Sequence, residues 1–319
     1  MEPHREQHDD RRLPATIQVD LDGLDILLAH HGWPSRGERD GIFLSAMPRF
    51  LELFARWGVR ATFFVVARDL EDPEKAEWVC RAVAEGHEVG NHTLSHPPSL
   101  SVLEERELER EIAAAEERIG DRLGLAPQGF RAPNFDVDDR TVCLLQRRGY
   151  RYDSSVLAMP YAPFFRWFKG RLTGTGQSPS YYLGRAIYGL APLRPYRPAK
   201  EALWRRGHSA IMEVPITTMP FLRLPFHASF NLALRALGGG NALFRVGSAW
   251  ARRRQLPLNY VFHVCELADT PPDGRLRHHW GLNLPLEERI AVADGVLARI
   301  AGLYRTVPTR QLVEELEGA

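Results

Sequence analysis

Short apolar runs rich in β-branched and aromatic residues alternate along this chain with longer stretches whose apolar positions recur every three to four residues. The run ATIQVD over 15–20 reads as a strand. Over 45–57 the sequence SAMPRFLELFARW spaces Phe50, Leu51, Phe54 and Trp57 along one helix face, and Gly58 supplies a stop. ATFFVVA (61–67) has the continuous apolar character of a strand buried in a parallel sheet. A helix over 74–85, ended by Gly86, and a short strand over 87–90 follow. The spacing predicts a second long helix over 101–119, with Ser101 and Glu104 set for a capping box.

The alternation continues with a strand over 128–131, a helix over 138–148 and a short strand ending near Asp153. It resumes with AIMEVP (210–215), a helix over about 242–254, the strand NYVFHV (259–264), a helix over 286–304 and a last strand–helix pair over 305–316. Repeated strand–helix units of this length imply parallel strands with crossover helices, open or closed into a barrel. From about 156 to 208 the rhythm breaks. That stretch is rich in Pro, Gly and aromatic residues, Phe164, Trp167, Tyr181, Tyr188 and Tyr196 among them. Its only acid, Glu201, faces nine Lys and Arg. We read 13–319 as a single domain in which 156–208 is an aromatic, basic insertion, and 1–12 as a disordered tail.

Composition changes this picture little. The 319 residues are 44% hydrophobic and 25% charged, with 41 Lys and Arg against 40 Asp and Glu. That is an ordinary globular balance, and it gives no reason to expect a nucleic-acid partner. Cys80, Cys143 and Cys265 are odd in number and far apart, which argues against a disulfide framework and a cysteine zinc knuckle. The first residues, MEPHREQHDDRR, lack the apolar core of a cleavable signal. The expectation is a cytoplasmic protein.

Candidate chemistry gathers at predicted strand ends, where parallel α/β domains build their sites. Asp20 and Asp22 end the first strand, at a spacing that points both to one face. His92 and His96, in HTLSH, would share one side of a helical turn and could chelate one ion. With a carboxylate they form the open-sided set of catalytic metal sites. Arg131 opens RAPNF at another strand end, where a guanidinium could hold a carboxylate ionised. Asp153 in YDSS and His263 in VFHVCEL complete the group. His30, His31, Asp136, Asp138 and Asp139 read as solvated turn and helix-start residues, His278 to Trp280 as a surface loop, and Cys265 as packing.

The order VDLD, HTLSH, RAPNF, YDSS and a late His after an apolar strand resembles the polysaccharide deacetylase family, carbohydrate esterase family 4 with its NodB homology domain. The likeness covers about 13–155 and 209–317. It implies an α/β fold, a distorted (β/α)7-type barrel, and hydrolysis of an N-acyl group, acetyl or formyl, from an amino sugar. Carried over by position, Asp22, His92 and His96 would hold one divalent metal ion, with zinc the first choice and cobalt, nickel or iron compatible. Asp20 would be the general base, Arg131 its orienter, and His263 the general acid tuned by Asp153. Asn134 and Phe135 would form the substrate-binding, oxyanion-facing pair. The first motif departs from the family by placing a residue between its acids, RAPNF has Asn134 directly after its proline, and the late motif is FHVCEL.

Interleaved aromatic and basic residues suit ring stacking on a glycan or contact with an anionic bilayer. With FLRLPFHASFNLALRAL (221–237), the insertion suggests that residues 156–237 rest on the inner face of the membrane and bring the site to a lipid-linked amino sugar. A cover that merely narrows the pocket is the competing reading. The rival functions are a metal-independent amidase acting on a small amide and a non-catalytic glycan-binding barrel.

Overall fold

The computed structural model describes residues 12–35, 37–161, 185–219, 222–239, 241–271, 274–277, 279 and 281–318. The strands are β1 (Pro14–Asp20), β2 (Thr62–Val65), β3 (Glu88–Asn91), β4 (Gly129–Phe130), β5 (Tyr152–Asp153), β6 (Pro198–Ala199), β7 (Ala202–Arg206), β8 (Met212–Glu213), β9 (Leu258–His263) and β10 (Arg305–Thr306). Between them run α1 (Leu24–His30), α2 (Gly41–Trp57), α3 (Pro73–Ala84), α4 (Glu105–Leu123), α5 (Asp139–Arg147), α6 (Ala228–Ala236), α7 (Ala242–Arg253), α8 (Leu286–Leu303) and α9 (Thr309–Glu317).

The main sheet is parallel throughout and curls in the order β9, β1, β2, β3, β4, β5, β8. Strand β10 pairs with Pro14 and Ala15 of β1, whereas β2 pairs with Gln18–Asp20 further along. The sheet therefore admits β10 as a wedge at its base. No ladder joins β8 to β9. Instead Thr217 N–H donates to the Asn259 carbonyl, and the Asn259 amide donates to the carbonyls of Val214 and Pro215. The result is a distorted seven-stranded barrel.

Both faces of β1 are buried, as its apolar character requires. One large core lies between β1, β2 and β9 and the helices α2, α3 and α8. A second lies under α4 and α5. Tyr152 fills space that Gly129 leaves open: a Cβ on Gly129 would lie 1.9 Å from Tyr152 Cζ. The phenol then donates to Glu88 at 2.9 Å.

Four local expectations change. The capping box of Ser101 and Glu104 is absent; α4 starts at Glu105, because Ser101 gives both its N–H and its hydroxyl to Asp136. Asp136, read as solvated, is for that reason buried. Helices α1 and α6 were not anticipated, since α1 is only two turns long and α6 follows a proline-broken stretch. Within residues 156–208, β6 and β7 form a hairpin on α5, where Leu203 N–H donates to Asp139. The predicted tail and the aromatic residues from Phe164 to Tyr182 lie outside the described residues.

Replacing Gly129 with alanine forces its methyl group into the Tyr152 ring, so Gly129→Ala should cost about 1–3 kcal/mol. Thermal unfolding should report a melting temperature lower by several degrees. An unchanged midpoint would show that the ring has room to move.

Candidate active site

The strand registers bring the expected residues to one rim. Asp20 stands opposite both Phe64 and His263, Asn91 opposite Phe130, and Phe130 opposite Asp153. The side chains that follow these positions open on one cavity of about 200 Å³. Asp20, Asp22, His92, His227 and His263 line it with apolar walls that include Phe135 and Met159.

The turn after β1 is held from behind. Asp40, the N-cap of α2, accepts from Leu24 N–H at 3.0 Å and from Phe43 N–H at 2.9 Å. Gly23 is required there, because a Cβ would lie 2.2 Å from Asp40 Oδ2. Lys75 bridges Asp40 at 2.8 Å and Asp69 at 3.1 Å with its ammonium almost dry. Burial pushes the Asp69 carboxyl up to about 6. Fixing Gly23 in this way fixes Asp22 next to it.

His92 and His96 do not share a helical turn. They sit on a loop in which Thr93 and His96 have φ of 68° and 56°, a left-handed geometry disfavoured for side-chain-bearing residues, and for a β-branched one especially. Local bonds impose it. Asn91 Oδ1 accepts from Thr93 N–H at 2.7 Å, Thr93 Oγ1 accepts from His96 N–H at 3.0 Å, and Glu111 of α4 receives the N–H and hydroxyl of Ser95. The outcome is still convergent: the Nε2 atoms of His92 and His96 lie 3.2 and 3.4 Å from Asp22 Oδ1.

His92 Nδ1 is 2.8 Å from the Arg131 carbonyl, an acceptor, so this nitrogen carries the ring proton and Nε2 presents a lone pair. His96 Nε2 and Asp22 Oδ1 are buried without hydrogen-bond partners, as is Asp20 Oδ1. Burial lowers His96 to about 4, so its ring is neutral at pH 7. Burial alone would raise Asp22, but His96, His92 and His263 hold it well below the usual carboxylate range. Two imidazoles and a carboxylate whose ligand atoms converge, two of them buried and unpartnered, fit a divalent cation.

Beside this trio, Arg131 is fully buried and reaches Asp20 Oδ2 at 3.2 Å. It also donates to Gln18 and to Ser154. His263 Nε2 stands 3.8 Å from both Asp20 and Asp22. Burial lowers the His263 pKa, but Glu266, Asp22 and Asp20 together raise it to about 9. Asp153 is not the group that faces His263. Its carboxylate accepts from Ser155 and couples to Glu213 deeper in the barrel, because β5 and β8 put residues 153 and 213 side by side. The acid at His263 is Glu266, which accepts the His263 N–H at 3.0 Å and the Ser229 hydroxyl at 2.5 Å. An acid three residues beyond a strand-end histidine was the available signal.

His227 carried no motif at all. Its Nδ1 accepts from Ser229 N–H at 3.2 Å as the cap of α6, so its Nε2 carries the ring proton. Burial, His263 and Arg131 lower its pKa well below the ordinary value. It is thus a neutral donor whose ring lies tilted against that of His263, with centroids 4.8 Å apart. Asn134 and Phe135 line the cavity in left-handed backbone, and the Asn134 amide donates to the Pro98 carbonyl. His30, read as solvated, also lines the cavity, its ring centroid 5.7 Å from that of His96. His279 lies on the rim, whereas His278 and Trp280 fall outside the described residues.

Comparison with known proteins places part of the chain beside a described family. Residues 40–152 match the family model described as polysaccharide deacetylase. A peptidoglycan deacetylase of Helicobacter pylori is 30% identical over 151 residues, which are 46% of this chain and 50% of that protein. A peptidoglycan-N-acetylglucosamine deacetylase of Bacillus cereus is 37% identical over 99 residues, covering 31% of this chain and 34% of the relative. The chain thus spans half or less of these curated relatives. A solved Mycobacterium smegmatis chain grouped with the polysaccharide deacetylases superposes with a TM-score of 0.62 at 18% identity, covering 97% of this chain and 92% of its own. That likeness shows the shared fold.

The Asp153–Glu213 pair yields a stability test. Burial raises Asp153 to about 6, and burial with the neighbouring Asp153 raises Glu213 further, so the pair retains a proton. Carboxyls whose folded pKa exceeds the unfolded one lose their stabilising contribution as pH rises through the folded value. Glu213→Gln keeps an acceptor for Val156 N–H, which Glu213 Oε1 now receives at 3.0 Å. Its melting temperature should match wild type near pH 4 and exceed it increasingly from pH 6 to 8. A constant difference across that range would refute the coupling.

Proposed function

We propose, from the match of residues 40–152 to the polysaccharide deacetylase family, that the chain hydrolyses the N-acetyl or N-formyl group of an amino sugar in a glycan or lipid-linked sugar, with the help of one divalent metal ion. The observation that carries this reading is the convergence of Asp22, His92 and His96, with Asp22 Oδ1 and His96 Nε2 buried and unpartnered, beside a second carboxylate and a third histidine. The amino-sugar substrate is supported by the relatives named above, which act on peptidoglycan.

A divalent cation held by Asp22, His92 and His96 would polarise the amide carbonyl and acidify a water molecule. Zinc suits two imidazoles and a carboxylate. Asp20 takes the proton of the attacking water; Arg131 holds this carboxylate in place through their ion pair. Water oxygen bonds to the carbonyl carbon, and the C–N bond then breaks. His263 supplies a proton to the departing amine, a role that its raised pKa suits at neutral pH. Glu266 holds the His263 backbone, and Asn134 and Phe135 flank the carbonyl side of the cavity. Two carboxylates two residues apart thus serve different ends, because one faces the histidines and the other faces a guanidinium.

Metal content and release of acetate and formate from peptidoglycan fragments and chitooligosaccharides, measured on the same samples, test this directly. The wild type should bind one equivalent of zinc. Asp22→Ala and His92→Ala should lose both metal and hydrolysis. Asp20→Asn should keep its metal while hydrolysis falls by about 100-fold or more. A folded wild type that takes up no metal on reconstitution would remove the mechanism.

A further inference from the structure

The basic residues of this chain are segregated. Residues 154–258 contain fifteen Lys and Arg but only two acids, Glu201 and Glu213, and Glu213 is buried. Because the whole chain carries a net charge of only +1, the remainder is acidic. Over much of that remainder, exposed arginines are neutralised locally, as in Arg39 with Glu74, Arg56 with Glu52 and Asp294, and Arg81 with Glu85.

The described part of the basic region forms one face. Arg223 Nη1 donates to the Ala191 carbonyl at 3.0 Å, and Arg194 Nη2 donates to the Arg254 carbonyl at 2.7 Å. Gly247 of α7 lies so close to Phe226 and Met219 that a Cβ would meet them at 2.7 and 3.1 Å. The segment around 186–194, the turn between Thr218 and Pro225, and α7 are therefore contiguous. Leu190 and Leu222 are exposed on it, by 65% and 56%. Arg194, Arg253 and Arg254 are exposed as well and form no ion pair among the described residues. The turn that carries Leu222 also carries Pro225, which lines the cavity. Apolar side chains ringed by unpaired guanidinium groups match a bilayer surface bearing phosphate headgroups. No helix among the described residues is long and apolar enough to cross a membrane.

We propose that this face docks on an anionic bilayer, with Leu190 and Leu222 entering the headgroup region and Arg194, Arg253 and Arg254 meeting lipid phosphates. The cavity then opens beside the lipid surface, toward an amino sugar anchored in it. The proposal rests on the deacylase reading only for the amide it delivers, and its test is read without catalysis.

Co-sedimentation of the full chain with vesicles of phosphatidylcholine alone, and of phosphatidylcholine mixed with phosphatidylglycerol, provides the test. Binding is expected to the mixed vesicles only, and it should weaken with salt. Arg253→Glu with Arg254→Glu should weaken it about tenfold or more, as should Leu190→Glu with Leu222→Glu. Arg106→Glu with Arg110→Glu on α4 makes the same change in net charge and should leave binding intact. Unchanged melting temperatures establish that the variants fold. Absence of binding at low salt, equal losses in the α4 variant, or capture by heparin in place of vesicles would each overturn the proposal. Vesicle binding by a protein that cleaves no amide would leave docking standing and remove the proposed chemistry.

Discussion

The site is organised around one buried guanidinium. Arg131 has no exposed surface, and a buried cation costs several kcal/mol unless it is fully engaged. Here its side chain reaches Asp20, Gln18 and Ser154 and lies over the rings of Phe64 and Phe135 at 4.8 and 5.3 Å. Its backbone carbonyl meanwhile orients His92. One residue thus couples β1, β4 and β5 and also aligns a carboxylate with an imidazole. These contacts constrain the geometry more than they stabilise the fold, since an apolar replacement of the whole network would cost less desolvation.

Around that anchor, charge is distributed so that neighbouring groups of the same type behave differently. His96 is neutral because burial outweighs its carboxylate neighbours and His227 because burial and the adjacent His263 and Arg131 act together, whereas His263 is a cation because three carboxylates surround it. Asp22 is anionic among histidines, while Glu213 keeps a proton because it is buried and another acid adjoins it. Environment, rather than residue type, sets the charge that each of these groups carries.

Much of this was legible in the sequence, because strand ends in a parallel barrel must share a rim. The strand ends at Asp20, Arg131 and His263 follow from periodicity once the strands are assigned, whereas Asp22, His92 and His96 stand out by their spacing and by the likeness of VDLD and HTLSH to the deacetylase motifs. The loop geometry of HTLSH was not legible, because it depends on Asn91 and on Glu111, a residue in the middle of the next helix. The distance of Asp153 from His263 was hidden for a related reason. A strand-end residue can turn inward to the barrel, and the register with Glu213 makes it do so. His227 lay outside any recognisable pattern, since its ring is placed by a helix cap that the sequence did not announce.

The wedge of β10 carries a consequence for assembly. Strand β1 needs β9 along one edge and shares its other edge between β2 and β10. Thr309, just beyond β10, closes the barrel floor with bonds to Thr62 and Gln18. The earliest strand in the chain is therefore completed by the latest, so Asp20 and Asp22 emerge from the ribosome long before the elements that hold their strand. Such sequence-distant pairing is kinetically slow. Until it forms, the apolar edge of β1 is a natural client for chaperones.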